Sequence, residues 1–114
     1  MKRLATICLI LDGCLTLGWA QGIQGNVKFT GKATIVVTGH AITLSWKASQ
    51  GASSYCIYRG TIEGGPYAKT ACGIPGTNYT DIKAGHKQTL YYVITAVSGS
   101  GESGYSNETV AVVP

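Results

Sequence analysis

The chain has 114 residues, enough for one domain. Only 12% of them are charged, 16 are glycine, and Tyr, Thr, Val and Ile are plentiful beside a single Met and a single Phe, a balance that favours an all-β domain with tight turns. The formal charge of +4 falls to +3 without residues 1–20, which hold Lys2, Arg3 and Asp12. The remaining basic residues are Lys28, Lys32, Lys47, Arg59, Lys69, Lys83 and Lys87. They are scattered singly, as solvated surface charge is, and no nucleic-acid partner is expected.

Met1-Lys2-Arg3 opens the chain with positive charge, Leu4 to Leu17 is mostly apolar, and Gly18-Trp19-Ala20 offers a small-x-small cleavage site. This tripartite pattern predicts a secretory signal peptide over residues 1–20, cut after Ala20 to leave Gln21. The apolar run is short for a membrane span and Asp12 interrupts it. A rival reading stays open. Leu11-Asp12-Gly13-Cys14 resembles a bacterial lipobox, with Asp12 where a small or apolar residue is usual. Lipidation of Cys14 would tether the domain to a membrane, and a membrane is expected as a partner only in that case. The expected location is secreted, or periplasmic and cell-envelope.

Residues 21–32, rich in Gly and Gln at the start, read as a leader or linker, and the domain is expected over 33–114. Ala33 to Thr38 is β-prone, and Gly39-His40 supplies a turn. Ala41 to Lys47 alternates: Ile42, Leu44 and Trp46 share one face, and Thr43, Ser45 and Lys47 the other. That predicts a strand with one buried side. Ser54–Gly60 and Tyr67–Cys72 flank a Gly64-Gly65-Pro66 turn, which is a hairpin signature. Tyr55 and Ile57 should face in, with Cys56 and Tyr58 facing out. Thr77 to Asp81 is a short strand with Tyr79 inward. Thr89 to Val97 is the longest β run, with Leu90, Tyr92, Ile94 and Ala96 on one face. Ser98 to Gly104 reads as a loop and Tyr105 to Val113 as the last strand. About seven short strands with regular turn signals and no helical period predict a two-sheet, immunoglobulin-like β-sandwich.

Cys56 and Cys72 lie at mirror positions, eight residues either side of Gly64. In an antiparallel hairpin centred there they would face each other, at a spacing that overlaps the disulfide range. In an oxidising compartment a lone pair of cysteines is expected to join; two free thiols are the alternative. A zinc site needs about four ligands, and nothing in the spacing brings His40 and His86 to the cysteines. No metal or cofactor is expected.

From about Ala33 to Pro114 the chain resembles a fibronectin type III domain. The resemblance rests on Leu44-x-Trp46, Tyr55-x-Ile57-Tyr58-Arg59 and Tyr79-Thr80-Asp81. It continues through the Tyr91-Tyr92-Val93-Ile94-Thr95-Ala96-Val97 run and the Gly101-to-Asn107 stretch, all in order. It implies a sandwich of strands A, B and E against C, C′, F and G. The variant with Tyr58-Arg59-Gly60-Thr61 and Gly64-Gly65-Pro66-Tyr67 looks like those of exported bacterial proteins, often beside enzyme or adhesion domains. Two departures stand out. The tyrosine that opens strand F in such domains, and pins the preceding connection, is replaced by Leu90. Arg59-Gly60-Thr61 lacks the carboxylate of an integrin-binding triplet, so integrin binding is not implied.

Catalysis is not expected. Ser, His40, His86 and Asp81 occur, but no nucleophile elbow does, and Glu63, Asp81, Glu102 and Glu108 are spread over separate segments. The outward tyrosines Tyr58 and Tyr91 on neighbouring strands, with Tyr67 nearby, form the candidate binding face for a protein or polysaccharide. The competing reading is that they are cross-strand pairs that only stabilise the sheet. The function expected is therefore a non-catalytic exported module for protein contact, adhesion or cell-envelope work. Carbohydrate binding through the tyrosines, or lipid anchoring through Cys14, is the alternative.

Overall fold

The computed structural model describes residues 27–114. The signal sequence, the cut after Ala20 and the lipobox at Cys14 lie outside the described residues. Within them are eight strands and no helix, and every strand pair is antiparallel. β1 (Thr34–Thr38) turns through Gly39, at φ 60°, into β2 (Ala41–Ser45), and β5 (Asn78–Asp81) pairs along the other side of β2. The second sheet is built on β3 (Ser54–Gly60), flanked by β4 (Ala68–Ile74) and β6 (Thr89–Ser98). Beyond β6 lie β7 (Gly101–Glu102) at its C-terminal end and β8 (Thr109–Val112) at its N-terminal end. The three-stranded and five-stranded sheets correspond to the expected A-B-E and C′-C-F-G layers.

Alternation along the strands makes the core. Side chains two apart share a sheet face, and Ile42 and Leu44 of β2 meet Tyr55 and Ile57 of β3 and Leu90, Tyr92, Ile94 and Ala96 of β6 in one buried cluster. Trp46 packs edge-on to Tyr55 at 5.3 Å between ring centroids. The Tyr55 hydroxyl accepts from the Ser49 N–H at 2.8 Å, whereas Trp46 Nε1 finds no acceptor among the described residues. Val27 belongs to the same cluster and Phe29 packs against it. The packed unit therefore reaches back at least to Val27, earlier than the boundary expected at Ala33, because two apolar side chains of the supposed linker have core to cover.

The last strand is not continuous, unlike the run expected from Tyr105 to Val113. Between β7 and β8 the chain stays beside β6 without regular pairing. Ser103 and Ser106 donate backbone N–H to the Ala96 and Ile94 carbonyls at 2.8 Å each. Their hydroxyls in turn accept from the Ala96 and Ile94 N–H groups at 2.8 and 2.9 Å. Serine hydroxyls thus replace the carbonyls that a regular strand would present, and the Ile94 and Ala96 amides keep their acceptors. The first strand is held at its start by the Asn107 amide, which accepts from Ala33 N at 2.9 Å and donates to Ala33 O at 3.1 Å.

Leu90 occupies the place of the expected corner tyrosine, and Tyr92, one inward position further, does the pinning instead. Its hydroxyl donates to Asp81 Oδ2 at 2.6 Å, and Asp81 Oδ1 accepts from Lys83 N at 2.9 Å. Arg59 Nη1 joins the same carboxylate at 2.7 Å. Arg59 shares the inward face of β3 with Tyr55 and Ile57, so the sandwich is closed at that end by an ion pair between a buried carboxylate and a half-buried guanidinium.

Candidate functional site

The outward side of the five-stranded sheet carries a second, smaller buried layer. Val93, Thr95 and Cys56 point away from the main core by alternation, yet Val93 is only 2% exposed and Cys56 and Thr95 are equally buried. Val93 and Cys56 stand outside the main core cluster. They are covered from the solvent side of the sheet, where a group of tyrosines lies.

That group is Tyr58, Tyr67 and Tyr105. Tyr105 sits edge-on to Tyr58 at 5.2 Å and to Tyr67 at 5.3 Å, spacings at which ring quadrupoles attract. The Lys69 ammonium lies 5.8 Å from the centroid of Tyr58, a cation–π distance. Each outer tyrosine is tied to a carboxylate. The Tyr58 hydroxyl donates to Glu102 Oε2, which also accepts from Thr95 Oγ1 at 2.5 Å. The Tyr67 hydroxyl donates to Glu108 Oε2, which also accepts from Gly64 N at 2.8 Å. Burial, then the bond to Glu102 and its charge, push the Tyr58 phenol up to about 12. The bond to Glu108 comes first for Tyr67 and likewise raises it to about 12. Glu102 is held below the usual carboxylate range by the hydroxyls of Thr95 and Tyr58.

Of the three tyrosines singled out from the sequence, the structure brings Tyr58 and Tyr67 together and leaves Tyr91 apart. Tyr91 faces Gly60 and Val110 across the sheet and joins none of the ring pairs found among the described residues. The ring that links the other two is Tyr105, 54% exposed. Alternation could not place Tyr105, because it sits in the irregular stretch between β7 and β8. Two hollows flank the cluster. One, of about 250 Å³, is walled by Tyr58, Tyr105, Glu102, Thr95 and Ser103. The other, an open groove of about 580 Å³, gathers Arg59, Lys69 and Lys83 beside Tyr67, three cations that are far apart in the sequence.

Behind the cluster, Cys56 and Cys72 form a disulfide between β3 and β4, with Cα atoms 4.0 Å apart. The mirror symmetry about Gly64 holds to within the irregularity of this pair, where the register shifts between Tyr55 and Tyr58. Gly73 takes up φ 70° at the shift, a conformation that costs glycine little. His40 and His86, spaced without evident relation in the sequence, stack edge-on at 4.1 Å, across the β1–β2 turn and the β5–β6 connection. Among the described residues, no three of His, Cys, Asp and Glu are grouped to hold a metal ion.

A three-on-five antiparallel sandwich with this strand order defines an immunoglobulin-like module. No protein-family model matches the chain. The Fn3-like protein from Clostridium thermocellum superposes with a TM-score of 0.67 at 36% identity, covering 78% of this chain and 93% of that one. The chain belongs to the fibronectin type III family. It is also 39% identical over 79 residues to an amylopullulanase of Thermoanaerobacterium thermosulfurigenes, covering 68% of this chain but only 4% of that protein. The β-1,2-glucanase of Parabacteroides distasonis contains the same fold, with a TM-score of 0.68 at 23% identity over 77% of this chain and 13% of that one.

Proposed function

We propose that the chain is an exported, non-catalytic fibronectin type III module that makes its contacts through the Tyr58–Tyr67–Tyr105 face of the five-stranded sheet, as an adhesion or cell-envelope accessory. The observation that carries this reading is the ordered aromatic cluster itself. Two of its rings, Tyr58 and Tyr67, are tied to carboxylates, and the third, Tyr105, packs edge-on to both and is 54% exposed. Rigid tyrosines lose little conformational entropy on binding and offer both apolar area and a polar tip. The signal-like residues 1–20 and the disulfide both support export. The similarity to a small segment of an amylopullulanase supports polysaccharide, rather than protein alone, as what is contacted.

The test is co-sedimentation of the purified chain with host cell envelopes and with insoluble starch. A Tyr67→Ser/Tyr105→Ser double variant that remains folded by circular dichroism should lose association, and Val36→Ser on the opposite sheet should keep it. Equal association by both variants would sink the reading.

A further inference from the structure

We propose that the hollow beside Tyr105 is a subsite for one neutral hexopyranose unit, with the Tyr105 ring as its stacking wall and Glu102 as its hydrogen-bond acceptor. This deepens the contact-face reading above and rests on it. The hollow has a volume of about 250 Å³, below the ~300–1,000 Å³ of sites for drug-sized ligands, so it suits a single ring of a longer chain. One wall is an aromatic ring more than half exposed, and the apolar C–H face of a pyranose packs on such a surface.

The carboxylate is already set for its task. Glu102 Oε2 is filled by the Tyr58 and Thr95 hydroxyls, and Oε1 accepts no hydrogen bond among the described residues. Thr95, which does half of this positioning, is itself 98% buried, at 2% exposure. A ligand therefore meets an acceptor whose rotamer is fixed before binding, which lowers the entropic cost of association. Glu102 is ionised at neutral pH, and a sugar hydroxyl donating to it makes a charge-assisted bond stronger than a neutral one.

Selectivity follows from the same residues. Among the described residues no cation lines this hollow. Lys69 lies over the Tyr58 ring and lines the neighbouring groove, and its charge helps to lower the Glu102 carboxyl. A uronate carboxylate would meet the Glu102 charge directly, and Lys69, outside the hollow, offsets that charge only in part, so neutral units are favoured over acidic ones.

The experiment is calorimetric or NMR titration of the purified chain with maltoheptaose, cellohexaose and polygalacturonate. At least one of the neutral oligosaccharides should bind, and polygalacturonate should bind more weakly. Tyr105→Ala should weaken binding by about tenfold and Glu102→Gln by about fivefold. Tyr91→Ala, outside the hollow, should leave it unchanged. Glu102→Gln keeps the side chain's shape, so it decides the matter should Tyr105→Ala fold poorly. Tighter binding of polygalacturonate, or unchanged affinity in both Tyr105→Ala and Glu102→Gln, overturns the subsite. A parent chain that binds neither oligosaccharide, yet loses envelope association in the Tyr67→Ser/Tyr105→Ser variant, overturns the subsite alone and leaves the contact-face reading standing.

Discussion

Asp81→Ala is the substitution that most sharply probes how the sandwich is held closed. The Asp81 carboxylate is 1% exposed and accepts from Tyr92 at 2.6 Å, from Arg59 at 2.7 Å and from Lys83 N at 2.9 Å. Removing it leaves the buried Tyr92 hydroxyl without an acceptor, a loss of about 1–3 kcal/mol. Breaking a fully buried ion pair costs about 3–5 kcal/mol, but the Arg59 side chain is 32% exposed and can turn to water, so its part falls to about 1 kcal/mol. The sum expected is about 3 kcal/mol, against a net stability of roughly 5 kcal/mol for a domain of this size. Asp81→Asn keeps an acceptor and loses the charge, and should cost about 1–2 kcal/mol. Urea unfolding of parent and variants measures both, provided the slope is unchanged. A cost below about 1 kcal/mol for Asp81→Ala, or equal costs for the two variants, would refute the reasoning. The acid limb adds a check. Burial alone would raise the Asp81 carboxyl, but the bonds from Tyr92, Lys83 N and Arg59 outweigh it and hold the group below its ordinary value. Its contribution is therefore fully present above the unfolded value of about 3.9 and lost as pH falls through the lower folded value. Asp81→Asn should flatten the stability profile in that acid window.

Other outcomes follow from the same contacts. The unreduced chain should show no free thiol at Cys56 or Cys72, and reduction should cost about 3 kcal/mol for a loop with a sequence separation of 16; full labelling of both without reductant contradicts the bridge. Absorbance titration should find Tyr58 and Tyr67 ionising near 12 rather than near 10. Because their folded values are raised, the stability they contribute is intact below about pH 10 and lost as pH climbs toward 12. Normal titration of both would show that the carboxylate ties are absent in solution. Asn107→Ala should cost about 1–2 kcal/mol by freeing both Ala33 backbone groups, and an unchanged melting temperature would count against that clasp. Mass spectrometry of the exported chain should give Gln21 as the first residue; a lipidated Cys14 would establish the anchored alternative.

Much of the sandwich is legible in the sequence because sheet burial writes itself as alternation. Ile42, Leu44 and Trp46, and Leu90, Tyr92, Ile94 and Ala96, stand on the faces expected of them. The cysteine bridge follows from symmetry about one turn. Arg59 as an inward residue was also within reach, since it continues the face of Tyr55 and Ile57, but its charge hides it until Asp81 is known to lie opposite. Tyr105 was not within reach. It lies where serine hydroxyls replace strand pairing, and such a segment has no period to read. The same holds for His40 and His86, brought together by two connections whose paths depend on the packing of everything between them. The candidate face therefore kept two of its expected members, Tyr58 and Tyr67, and gained its central one from tertiary structure.

The most direct test of the contact face is site-specific photo-crosslinking in the exporting cell. A photoreactive phenylalanine derivative at position 105 should give covalent adducts with envelope or polysaccharide material, and the same group at position 36, on the exposed side of the three-stranded sheet, should give none. Adducts from position 36 equal to those from position 105, or no adducts at position 105, would contradict the account.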